Sequence, residues 1–68
     1  MISARNQLKG TISRIASDNV VSQVFVDIGG GQEIVAVITT DSVRDMGLKQ
    51  GDIVHAVIKS TSVMIGRE

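Results

Sequence analysis

Two short polar phrases, one near each end of the sequence, hold the residues best suited to chemistry. Ser3-Ala4-Arg5-Asn6-Gln7 and Lys59-Ser60-Thr61-Ser62-Val63-Met64 each join one cation to small side chains that donate hydrogen bonds, and neither contains a carboxylate. A tetrahedral oxyanion offers only acceptors and a double negative charge, so its site needs donors and cations away from acids. Arg5 is a permanent, forked cation that fits an oxyanion face, and Lys59 is a point charge. The hydroxyls of Ser3, Thr39, Ser42 and Ser60 can each rotate to donate. In the phrase Thr39-Thr40-Asp41-Ser42 the Asp41 carboxylate has to point away from any dianion. The chemistry is recognition, not bond breaking. Asp18, Asp27, Glu33, Asp45, Asp52 and Glu68 show no pairing suited to acid–base work, and the sequence holds no nucleophile–base constellation.

Composition narrows the partners. Seven basic and seven acidic residues cancel, which argues against a nucleic-acid or membrane-surface partner held by bulk charge. Phe25 is the single aromatic residue, so a stacking platform for single-stranded nucleic acid cannot be built. No apolar stretch approaches the roughly 20 residues that span a bilayer, and no secretory signal is visible; a cytoplasmic protein is expected. There is no cysteine and only one histidine, His55, so no metal ion ligated directly by the protein is expected. With 68 residues the chain makes one domain, 1–68. A domain of that size is marginal alone, and oligomerisation is the support left to it.

The elements that must carry the polar phrases are mostly strands. Leu8 to Ala16 is apolar at intervals, with Leu8 and Ile12 on one parity and Ile15 on the other; that switch predicts a bulge or strong bend near Gly10. Asp18-Asn19 signals a turn. Val20 to Ile28 alternates, with Val20, Ser22, Val24, Val26 and Ile28 on one face. Gly29-Gly30-Gly31 then turns the chain into Glu33–Thr39, giving a hairpin. These glycines precede a strand and no P-loop lysine follows, so they are not a phosphate cradle. Thr40 to Gly47 is the one helix, with Thr40 as its cap, Gly47 as its stop, and Val43, Met46 and Leu48 turned inward. Its opening at Thr40 to Val43 adds free N–H groups. Ile53 to Lys59 is a fourth strand and Ser62 to Ile65 a short fifth. The fold expected is all-β, an OB-like five-stranded Greek-key barrel with one short helix after the third strand. Several strands are apolar on both parities, and the second apolar face is expected to meet another subunit.

These residues also carry a resemblance. Ser-Ala-Arg-Asn-Gln-Leu-x-Gly at 3–10, Thr-x-x-Ser at 39–42 and Lys-Ser-Thr-x-Val-Met at 59–64 resemble the Mop family, the molbindins, over essentially the whole chain. The resemblance implies a small cytoplasmic protein that binds molybdate or tungstate, for storage and homeostasis, without a catalytic cofactor. It implies a homo-oligomer, a hexamer for free-standing single-domain members, with oxyanion sites between subunits. Carried over, one subunit would supply Ser3 and Arg5, and another Thr39, Ser42, Lys59 and Ser60. A second class of site near a symmetry axis is implied as well, and backbone and hydroxyl groups of Asn19, Val20, Val21 and Ser22 are its candidates. The rival reading is a module of the same fold that oligomerises or senses without binding a ligand.

Overall fold

The structure, a computed structural model, describes residues 5–68. The chain runs β1 (Asn6–Ser17), β2 (Val21–Gly29), β3 (Gln32–Thr39), α1 (Thr40–Met46), β4 (Ile53–Ile58) and a 3-10 turn over Ser60–Ser62. The four strands form one antiparallel sheet in the order β3-β2-β1-β4. The architecture is therefore all-β with one short helix after the third strand, as the sequence suggests.

β1 organises the sheet. Its first half, Asn6 to Thr11, pairs with β4, and its second half, Thr11 to Ser17, with β2. The register of the β1–β2 ladder shifts between Ile12 and Arg14, so Ser13 is the extra, bulged residue. The expected parity switch is real, but it lies three residues beyond Gly10. Gly10 serves a different purpose. A Cβ at that position would lie 2.5 Å from the Asp27 carbonyl oxygen and 2.6 Å from Val26 Cγ1, so only glycine lets β1 lie this close on β2.

The alternation read in β2 sorts its faces. Ser22, Val24 and Val26 are buried, and with Ile12 the two valines form the core. Ile15, Ile28, Ile34, Ala36, Ile38, Val43, Leu48 and Val54 pack around them. The β2–β3 hairpin closes on Gly30 and Gly31, both with positive φ (64° and 76°), the geometry of a primed two-residue turn whose twist matches the strands. Among the described residues no ladder joins β3 to β4. Between these two edges lies an apolar cavity of about 230 Å3, lined by Ile12, Val24, Ala36 and Ile38 on one side and Ala56 and Val57 on the other.

Two expectations need correction. Ser62 to Ile65 is not a strand in the single chain. The Ser62 N–H turns back to the Lys59 carbonyl at 2.8 Å, which steers the backbone out of the sheet, and Val63, Met64 and Ile65 are left exposed. Met46 turns only to the rim of the apolar cavity, which it helps to line, and more than half of it is exposed. Val43 and Leu48 do reach the core, because Leu48 N–H bonds the Val43 carbonyl at 3.0 Å across the left-handed Gly47. Among the described residues no helix is long and apolar enough to cross a membrane.

Candidate functional site

The third polar phrase sits where β3 gives way to α1. Thr39, not Thr40, is the N-cap: its backbone is extended (φ −71°, ψ 147°), and its Oγ1 accepts the Ser42 N–H at 3.0 Å. Thr39 Oγ1 also donates to Ser42 Oγ at 2.7 Å. Thr39 thus spends its proton on Ser42, and Ser42 Oγ keeps a proton to give outward. Asp41 is turned along the helix toward Arg44, 3.4 Å away and exposed. α1 is only seven residues long, and Thr39 takes its Ser42 amide, so the helix offers fewer open N–H groups than its sequence suggests.

The two cations sit at the other end of the chain's pairing. Asn6 pairs with Ile58 at the end of the β1–β4 ladder, and Arg5 and Lys59 are the next residue out on each strand. Both are exposed, and among the described residues neither side chain makes a hydrogen bond or an ion pair. Ser60 follows at once, exposed at the start of the 3-10 turn. Ser3 lies outside the described residues. The structure therefore groups Arg5, Lys59 and Ser60 at one ladder end and Thr39 with Ser42 at the helix start. Among the described residues no hydrogen bond joins the two groups.

The turn holding Asn19 to Ser22 has a different character. The Asp18 carboxylate accepts the N–H groups of Val20 and Val21 at 2.7 and 2.8 Å. These two bonds hold its pKa below the usual carboxylate range. Ser22 is fully buried, and its Oγ lies 2.7 Å from Ser17 Oγ and 2.8 Å from Thr40 Oγ1. Thr40 Oγ1 in turn donates to the Asp18 carbonyl at 2.8 Å. Two of the backbone donors and the one hydroxyl of this stretch are thus engaged inside the chain. Beside it lies a shallow cleft of about 390 Å3 lined by Ala16, Ser17, Asp18, Val21, Gln23 and Val37.

Sequence reasoning missed Ser17, Asp18 and Thr40 as a connected set. Asp18 is legible as a turn residue and Thr40 as a helix-start residue, but no local signal pairs positions about twenty residues apart.

Comparison with known proteins agrees with this fold. The TOBE domain family matches residues 2–65. Molybdenum-pterin-binding protein 3 of Clostridium pasteurianum is 47% identical over 64 residues, covering 94% of each chain. Among solved structures, MopII from Clostridium pasteurianum superposes with a TM-score of 0.91 at 45% identity, covering 98% of this chain and 100% of its own. The cytoplasmic molybdate-binding protein ModG, solved with molybdate bound, gives a TM-score of 0.88 at 39% identity; the match covers 94% of this chain and 45% of ModG. With a family match over nearly its full length and close relatives of the same size, the chain belongs to the TOBE domain family, among the Mop molybdenum-pterin-binding proteins.

Proposed function

We propose that this protein binds molybdate, and tungstate with it, as a storage and buffering protein of the cytoplasm. The observation that carries the reading is the pair Arg5 and Lys59, two cations whose side chains have no partner among the described residues, at one end of the β1–β4 ladder. Ser60 stands beside them, and Thr39 and Ser42 supply hydroxyls from the helix start. Exposed cations of this kind suit a dianion. The names of its relatives, one of them a structure with molybdate bound, support the choice of anion. Ser3 and Arg5 of one copy would meet Thr39, Ser42, Lys59 and Ser60 of another. Binding needs no covalent change: the anion exchanges its water shell for fixed donors, so this is a binder and not an enzyme. Isothermal titration with molybdate tests it. Saturable uptake that equal sulfate fails to displace is expected, because cavity size separates two dianions of like shape. If sulfate competes on equal terms, the site is a general anion site. If nothing binds, the rival reading, an oligomerisation or sensor module, takes its place.

The protein works as a closed homo-oligomer in this reading, six subunits by resemblance. The sheet supports assembly by its outer face, where Val21, Val35 and Val37 are exposed beside half-buried Phe25, a patch suited to a subunit contact. Val63, Met64 and Ile65, exposed in the single chain, would complete the Greek-key barrel as its fifth strand once a neighbour is present. Light scattering at micromolar concentration should report an oligomer without ligand, and a folded monomer would remove this part of the proposal. A second site at Asn19 to Ser22 would need donors other than those Asp18 and Thr40 already hold.

A further inference from the structure

Thr40, at the helix start, has both its N–H and its hydroxyl engaged within the chain. Its N–H donates to the Val20 carbonyl at 2.9 Å. Its hydroxyl donates to the Asp18 carbonyl at 2.8 Å. Because that proton is spent, the contact at 2.8 Å with Ser22 Oγ must run from Ser22 to Thr40. The Ser22 proton is then spent as well, so the 2.7 Å contact with Ser17 runs from Ser17 to Ser22. The result is a one-way series, Ser17 to Ser22 to Thr40 to the Asp18 carbonyl. Its centre, Ser22, is fully buried, and no buried side-chain donor or acceptor among the described residues lacks a partner.

The turn at the receiving end is itself braced. Asp18 ties down the Val20 and Val21 amides through its carboxylate, and its backbone N–H bonds the Val21 carbonyl at 3.0 Å. Thr40 therefore fastens α1 to a rigid support on two sides. Thr39 precedes it, and Ser42 lies two residues on, joined to Thr39 by two hydrogen bonds. A helix of seven residues has too little internal hydrogen bonding to hold its own start in place.

We propose that Thr40 is the positioning residue of the anion site: through the buried hydroxyl series with Ser22 it fixes the direction in which Thr39 and Ser42 present their hydroxyls, without touching the anion. This rests on the reading of Thr39 and Ser42 as part of that site.

The test uses the full protein and two readouts. Molybdate titration reports affinity, and amide hydrogen exchange at Ser42, measured without any anion, reports the fastening alone. T40V removes the hydroxyl and keeps the N–H and the volume. It removes the acceptor of the Ser22 proton, which must then turn back to Ser17 Oγ, so S22A/T40V is made beside it to remove both partners together. T40S restores the hydroxyl. Expected for T40V and S22A/T40V are faster exchange at Ser42 and a molybdate affinity weakened by roughly 3- to 30-fold, with T40S within about twofold of the unaltered protein in both readouts. If T40V does not fold, the double variant decides. Unchanged affinity in the double variant overturns the proposal even where exchange quickens, and so does a T40S that fails to restore binding. If the unaltered protein binds no molybdate, the site reading fails by itself, and the exchange data still report whether Thr40 fastens the helix.

Discussion

Arg5→Ala and Lys59→Ala are each expected to weaken molybdate binding by roughly 10- to 150-fold, the usual cost of losing a charged hydrogen bond, and to leave the assembly state unchanged. Both side chains are exposed and make no internal bond or ion pair among the described residues, so their loss removes charge from a site and little from the fold. Co-refolding the two variants carries more information. If Arg5 of one copy meets Lys59 of another, a mixed assembly contains some interfaces with neither substitution, and tight binding returns at those sites. Neither parent can form one. The ladder register also brings Arg5 and Lys59 of the same chain to one end. Mixed assembly without recovery would mean that one copy supplies both cations, and would overturn the division of the site between copies.

The second large effect concerns stability. Gly10→Ala is expected to cost about 1–3 kcal/mol, the range for forcing extra atoms into a packed place. The new Cβ would meet a backbone oxygen at 2.5 Å, and a carbonyl fixed in a strand cannot step aside. At about 4–8 °C for each kcal/mol in a domain this small, the thermal midpoint should fall clearly. Gly66→Ala is the matched control, because a Cβ there meets nothing within 4 Å. Equal midpoints for the two variants would mean that β1 and β2 can part at Gly10 without cost.

The sequence made some of this plain for physical reasons that can be named. A strand buried on one face alternates, and so Ser22, Val24 and Val26 are buried as their shared parity requires. Three successive glycines have few uses beside a turn needing positive φ. Gly47 ends its helix because it alone among its neighbours enters the left-handed region without strain. The parity of Leu8, Ile12 and Ile15 announced a bulge. It did not place it, because the residue that carries the shift, Ser13, is polar and silent in an apolar count. Two adjacent threonines present the same capping chemistry, and the choice of Thr39 over Thr40 was made by distant partners, Val20, Ser22 and Asp18. Val63 to Ile65 has a strand's composition, but composition cannot supply an edge to pair with. The candidate site was legible as residue types. Its division into a cation end and a hydroxyl end was not, because only the ladder register reveals it.

The double pairing of β1 also sets an order of assembly. β1, β2 and β3 follow one another with short connections, so their ladders close small loops. The ladder of Asn6 with Ile58 joins positions near opposite ends of the chain and can form only after most of the chain between them is in place. Contacts made last at high entropic cost are also among the first to open. The Arg5–Lys59 end is therefore expected to fray first, while Thr39 and Ser42 ride on a meander of short loops. A dianion bridging the two would fasten the seam that folding closes last, and would do so only for chains that have finished folding.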